Sequence, residues 1–451
     1  MKYIKQFSSH TDYEEWVDEF GLTYPNVSQC VEEDDVHYNP IPYKNSYLTF
    51  IALEDTQYKF TNNSLQYSVD DGSTWTTLAA NTNTPTIHAG ERVMWKQTGL
   101  TPTSASGIGI FVSTGEYKAQ GNVMSLYYGD DFIGEEDLTG KDYAFRRLFQ
   151  NSGYKLVDVS HLSLPATTLS SNCYRNMFVS CSAITIPPEL PATNLADSCY
   201  SIMFQRCDSL VRMPKLPATV LAPSCYSFMF NLCSNLREVY ELPSTILKPS
   251  CYGGMFKGCS SLEKAQTILP AKALVSGLTL DDYGCYESMF QDCTSLTTAP
   301  ELPATNLSEA TYCYRSMFSG CTSLTTIPNN ILPATTLGNG CYMKMFIGCT
   351  SLEYAPALPA TALTSNCYYE MFYGCSSLQS ITALFLTEPS SSYLGSWVSG
   401  VANSGTFYFN CNAQWDPDNF IGTNGIPSGW DIDCDTVDNY IGDDSGGEVI
   451  K

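Results

Sequence analysis

The stretch "CYESMFQDCTSLTTAPELPATNL", Cys285 to Leu307, sets two cysteines eight apart around a tyrosine and a Met-Phe pair, followed by two prolines. Taken alone it could be a metal or redox site. The pattern C-Y-x-x-M-F-x-x-C, however, occurs eight times, at Cys173 and Cys181, Cys199 and Cys207, Cys225 and Cys233, Cys251 and Cys259, Cys285 and Cys293, Cys313 and Cys321, Cys341 and Cys349, and Cys367 and Cys375. These sixteen leave only three of the nineteen cysteines outside the repeat. Successive first cysteines lie 26, 26, 26, 34, 28, 28 and 26 residues apart. Near-identical segments at such a period predict a solenoid, in which each copy buries its apolar face against the next.

Within a copy, Cys285, Met289 and Cys293 stand at i, i+4 and i+8, with Tyr286 and Phe290 one residue on. That spacing predicts an apolar stripe on a short helix. Asn172, Ser198, Ser224, Ser250 and Asn366 precede the first cysteine as N-caps would, and Gly258, Gly320, Gly348 and Gly374 precede the second, where a left-handed C-cap fits. So short a helix is marginal alone and requires stacking. After the second cysteine, Leu296, Ala299 and Leu302 mark an extended segment. Prolines at 187, 214, 300, 328 and 356 lack the N–H a ladder needs, so one parallel strand of about three residues per copy is expected. A Leu-Pro element precedes each Cys-Tyr, reading L-P-A-T from Leu164, Leu190, Leu216, Leu302, Leu332 and Leu358. Length changes fall in the connection that follows it, the largest at Ala271 to Gly284. Decayed copies at Ala144 to Ser152 and at Tyr393 to Val401, the latter with Trp397, read as end caps.

Upstream, "SYLTFIAL", "LQYSVDDGSTWTTL", "ERVMWKQT" and "GIGIFVST" alternate with period two, as strands do. The expected fold is therefore mainly β with short helices. Residues 1–44 form an N-terminal arm that starts helix-like around Trp16 and Phe20, and 45–128 a separate, sandwich-like all-β domain. Residues 129–402 hold about eight full repeats plus degenerate caps, and 403–451 a C-terminal cap and an acidic tail.

Composition excludes several functions. A net charge of −23 repels phosphate backbones and anionic lipid, so no nucleic acid is expected as a partner. No segment is apolar enough to span a bilayer, and the start "MKYIKQFSSHTDYEEWVDEF" lacks a signal-peptide core, so no membrane insertion and no secretion by the usual route are expected. The cysteines are then folded in a reducing compartment. They read as small buried apolar residues stacking from copy to copy, with structural disulfides and metal or redox chemistry as the alternatives. The four histidines, His10, His37, His88 and His161, all lie outside the Cys repeats, which speaks against zinc. No triad, phosphate loop or nucleophile elbow is present, so no catalytic residue, cofactor or metal ligand is assigned. "SVDDGSTW", Ser68 to Trp75, matches the Asp-box of sialidase propellers and many other β proteins, and predicts a hairpin with Asp70 accepting turn amides. Asp431, Asp433 and Asp435 have the spacing that opens a calcium loop, but Thr436 and Gly442 stand where Gly and Glu are needed.

With the interior constant, function is expected in the residues that change between copies. The candidate recognition surface comprises Arg212, Lys215, Arg237, Tyr240, Lys264 and Tyr354. "SGCTSLTTIP" at Ser319 and "GCTSLEYAP" at Gly348 resemble the BspA-like leucine-rich repeat, over about residues 142 to 402. The C-Y-x-x-M-F and L-P-A-T elements depart from that pattern and resemble a subtype found in gut Bacteroidales and their phages, as does the upstream "YPNVSQCVEEDDVHYNP". The resemblance implies a leucine-rich-repeat solenoid that adheres to host surface protein or glycan, without catalytic residues. Cys30 lacks a lipoprotein context, and a virion protein needs no export signal. A phage fibre or decoration protein is therefore expected, located in the virion and joined to other virion proteins through residues 1–44, with homo-oligomers allowed. The alternatives are a bacterial cell-surface adhesin and, third, a glycan-acting enzyme.

Overall fold

The computed structural model describes residues 30–31, 37–38, 43–104, 107–275, 284–328 and 330–435, with the backbone alone at 30–31, 37–38 and 435. The helix-like start around Trp16 and Phe20, most of the arm, and the tail beyond Asp435 lie outside the described residues. Strands β1 (Cys30–Val31) and β2 (His37–Tyr38) pair antiparallel.

Alternation then builds a two-layered β unit. It contains β3 (Leu48–Ala52), β4 (Tyr58–Phe60), β5 (Leu65–Ser68), β6 (Thr76–Leu78), β7 (Arg92–Lys96), β8 (Phe111–Ser113) and β9 (Tyr117–Asn122). Leu48, Phe50 and Ala52 share one face of β3 and are buried, as period two requires. The main sheet runs β10-β9-β3-β7-β5-β6, where β10 is Leu156–Asp158 and β9 also pairs with β11 (Leu162–Ser163). The two-stranded antiparallel sheet β4-β8 covers it through Tyr58, Phe60 and Phe111, whose rings lie 4.7 to 5.3 Å from one another or from Phe50. Gly121, at φ +80°, lets β9 pass so close to Tyr47 that any side chain would strike its carbonyl.

The boundary placed at residue 128 is a boundary of sequence pattern, and the core runs across it. β9 pairs in parallel with both β10 and β11, which lie beyond it, and Phe149 packs at 5.9 Å from Phe50 and Phe111.

Downstream, the C-Y-x-x-M-F-x-x-C segment is not a helix, and here the sequence expectation is corrected. Among the described residues the α-helices are α1 (Ser125–Tyr128) and α2 (Ser391–Leu394). Each segment is a run of overlapping four-residue turns. In the first copy Cys173, Arg175, Met177, Val179 and Cys181 donate their N–H to the carbonyl three residues back. The residues between them, Asn172, Tyr174, Asn176, Phe178 and Ser180, donate instead to the next copy, to Asp197, Cys199, Ser201, Met203 and Gln205 at 2.9 to 3.1 Å. Asn172, Asn176 and Ser180 have φ of +56°, +63° and +58°, as turns with a left-handed third residue require. The residues read as N-caps are thus left-handed turn residues. The glycines before the second cysteine are left-handed as expected, but they cap no helix.

Stacked copies place like on like. Tyrosines from Tyr174 to Tyr368 stack at 5.6 to 6.0 Å between centroids, and phenylalanines from Phe149 to Phe372 at 5.2 to 5.8 Å, nearly parallel throughout. Beyond the second cysteine a leucine turns inward, and single parallel bridges join neighbouring copies, among them Arg212 to Glu238, Lys264 to Thr298 and Tyr354 to Ser380. A second row of bridges follows the Leu-Pro element, as at Val220 to Ile246 and Asn306 to Thr336.

Both degenerate copies close the stack. Phe145 and Phe149 continue the ring columns below Tyr174 and Phe178, at 5.6 and 5.5 Å. Trp397 ends them, 6.5 Å from Tyr368 and 6.1 Å from Phe372, with its indole N–H on the Gly425 carbonyl at 2.7 Å. A parallel sheet of β12 (Ser380–Ala383), β13 (Thr406–Asn410) and β14 (Asp431–Asp435) follows, tied by a disulfide between Cys411 and Cys434. The described chain is mainly β with very few helical residues.

Candidate recognition surface

Every repeat cysteine is buried and unpaired. Each second cysteine also has a hydrogen-bonding role: its thiol donates to the phenylalanine carbonyl of the preceding copy, from Cys181 to Phe149 through Cys375 to Phe346, at 3.0 to 3.2 Å. Burial raises the thiol pKa values, to about 12 at Cys199 and Cys285, which opposes the thiolate that metal or redox chemistry needs. Among the described residues no group of three His, Cys, Asp or Glu could hold a metal ion. None of their helices is long and apolar enough to cross a membrane.

The Ser68–Trp75 motif forms the β5-β6 connection. Asp70 accepts the Thr74 amide at 2.9 Å, the Thr74 hydroxyl at 2.6 Å and the Ser68 hydroxyl at 2.7 Å, and these bonds hold its pKa down at about 2. Trp75 packs 5.0 Å from Tyr47 and beneath Lys96, whose ammonium sits 4.1 Å from its ring and 2.6 Å from Asp130. These charges and rings satisfy one another. The Asp431 and Asp433 side chains lie exposed on strand β14 rather than in a loop.

The outward surface is ordered into columns by the stack. The residue two after the inward leucine is Arg212, Glu238, Lys264, Thr298, Thr326 and Tyr354 in successive copies, and the residue before it in the chain is Val211, Arg237, Glu263, Thr297, Thr325 and Glu353. Four of the six candidate residues, Arg212, Arg237, Lys264 and Tyr354, therefore share one ribbon of side chains. At the spacing of paired strands, about 4.8 Å per copy, Lys264 and Tyr354 are about 15 Å apart along it. Lys215 stands in the column just before the Leu-Pro element, between Glu189 and Glu241 of the adjoining copies. Tyr240 takes a place that proline holds in the copies on either side of the central ones, such as Pro214 and Pro300. The ribbon is graded: alternating charges in the second to fourth copies, then exposed threonines, then Tyr354 at 63 % exposure.

Sequence reasoning missed two features. Val220 and Ile246, each 52 % exposed, are bridged directly to one another in consecutive copies. Their signal was available, because the other copies carry Thr, Asn or Ala at that position. Glu287, 2 % exposed, pairs with Arg315 of the next copy at 2.7 Å and accepts the Gly284 amide at 2.9 Å. Burial pushes its carboxyl pKa up against the pull of those partners. Comparison with protein-family models, with curated proteins and with solved structures finds no match, so the surface is read from its own chemistry.

Proposed function

We propose that the stacked copies form a solenoid of the BspA-like leucine-rich-repeat kind, and that the chain is a non-enzymatic virion protein, a fibre, tail or head decoration component that binds host surface protein or glycan. The observation that carries this reading is the contrast between columns. Cys, Tyr, Met and Phe repeat without change in the interior, while the ribbon through Arg212, Lys264 and Tyr354 changes sign, size and polarity along the stack, two adjacent threonine copies apart. A rigid frame that varies only outward suits recognition, because aromatic and arginine side chains held at fixed spacing lose little freedom on binding. Residues 1–44 then join other virion proteins, and the β unit spaces the stack from the particle.

Two measurements test the reading. Mass spectrometry of purified virions is expected to find the chain in the particle. Its absence there, with presence on the bacterial surface, would favour the adhesin instead. The full chain is also expected to adsorb to host cells, and to do so at least tenfold more weakly when Arg212, Arg237, Lys264 and Tyr354 are replaced together by serine. Unchanged adsorption would remove the ribbon from the account.

A further inference from the structure

Where a charged side chain in the turn segments meets another in the next layer, the two are of opposite sign. Glu287 faces Arg315 at 2.7 Å, and Lys344 faces Glu370 at 3.3 Å. The first two layers break this rule. Arg146, in the N-terminal degenerate copy, and Arg175, in the first full copy, hold the place that Glu287 and Arg315 hold later, one residue before the left-handed Arg147 and Asn176. The rings of these same layers stack at 5.6 Å, Phe145 on Tyr174, so the two guanidinium stems leave the backbone one layer apart. The Arg147 amide donates to the Arg175 carbonyl at 3.1 Å, which brings a third arginine to the same edge.

Neutral acceptors meet only part of the Arg146 and Arg175 cations. One terminal nitrogen of Arg146 donates to the Ser104 carbonyl, and one of Arg175 to the Asn172 side chain at 3.1 Å. The Nε–H groups of Arg146 and Arg175 are buried and have no acceptor, and neither residue touches a carboxylate among the described residues. Asp142, close by in sequence, accepts the Ser170 hydroxyl and the Ser171 amide on one oxygen, Oδ1, rather than an arginine. Burial, together with the charges of Arg147 and Arg175, pulls the Arg146 pKa down, as expected where cations crowd. In a chain of net charge −23 such crowding is conspicuous, and an anion between the forks would relieve it.

We propose that Arg146 and Arg175, flanked by Arg147, form an oxyanion-binding site that takes a carboxylate or sulfate group presented by a ligand. Two planar guanidinium groups, carried on stems from adjacent layers, offer the paired N–H donors that such groups accept. The site lies in the turn segments rather than on the ribbon, and it stands whether or not the chain belongs to a virion.

Calorimetric titration of the full chain at low salt with sodium sulfate, and separately with glucuronate, tests the proposal. At least one is expected to bind one-to-one and to raise the thermal midpoint. Sulfate alone would assign the site to sulfated ligands, and glucuronate alone to sugar carboxylates. The double variant R146Q/R175Q is expected to bind at least tenfold more weakly, and R175K, which keeps the charge but loses the fork, to weaken as well. R92Q, altered at an exposed position of β7 in the β unit, should bind as the parent does. Absence of both heat and midpoint shift with either anion in the unaltered chain, or undiminished binding by a folded double variant, would overturn it.

Discussion

The second cysteine of each copy differs from the first in one respect that can be measured. Its thiol supplies a further hydrogen bond to a carbonyl that already accepts an amide, whereas no such bond is made by the first cysteine among the described residues. Phe178, for example, accepts both the Cys181 amide at 3.0 Å and the Cys207 thiol at 3.1 Å. Cys207→Ala and Cys199→Ala remove the same atoms from equally buried places, so their difference isolates the bond. Chemical denaturation is expected to find Cys207→Ala the more costly by about 1 kcal/mol, and equal costs would deny the thiol its role. The tyrosine column makes the opposite point. The Tyr200 hydroxyl is buried without a partner, like those of Tyr174 and Tyr226 on either side. Because an unsatisfied buried hydroxyl is penalised, Tyr200→Phe is expected to stabilise the chain by about 1 kcal/mol, read as a higher denaturation midpoint. A loss of similar size would show that the hydroxyl has a partner in solution.

The turn segment is the element on which sequence and structure part. A four-residue spacing of apolar residues fits a helix of period 3.6 and fits equally a run of turns that returns to the same face every four residues. What separates them is where alternate amides go, and that depends on the neighbouring copy. A better clue was in plain view: the position three after the first cysteine tolerates Asn176, Gly254, Ser288 and Ser316, residues at home in turns. Gly254 carries a specific consequence. It is left-handed at +59°, and the Phe228 ring of the preceding copy lies where its side chain would be, 2.3 Å from an added Cβ. Gly254→Ala is therefore expected to cost more than about 1 kcal/mol, and Phe228→Ala in the same chain should recover part of that. A double-mutant cycle without coupling would contradict the contact. The repeat, its inward leucines, the decayed end copies and the Ser68 to Trp75 hairpin were all legible, because each is a local pattern. The sheet joining β9 to β10 and β11, the Cys411–Cys434 link and the Arg146–Arg175 pair were not. They depend on which distant segments the stack aligns, and in the arginines' case one member sits in a copy that has lost its cysteines.

At the scale of the molecule, a single interior runs from the β unit through the stack to Trp397 and Phe407. It holds many groups that must stay neutral, and the sign of their pH effect follows. Folding raises the thiol pKa from an ordinary value near 9 to about 12 at Cys181, Cys199 and Cys375. Above pH 9 the unfolded chain therefore releases protons that the folded chain keeps, and stability falls. It is expected to be intact below about pH 8 and to decline from pH 9 towards 12, each thiol contributing at most about 1.4 kcal/mol per pH unit. Thermal midpoints measured from pH 7 to 11 check this, and a flat profile would contradict a closed interior. The most direct test counts thiols by intact mass after alkylation at pH 8. The folded chain is expected to take at most one label, at Cys30, whose side chain lies outside the described residues. Denatured without reductant, it should take seventeen, all of the nineteen cysteines except the Cys411–Cys434 pair. Several labels on the folded chain would show that the repeated cysteines are reactive surface, not the buried columns around which the whole account is built.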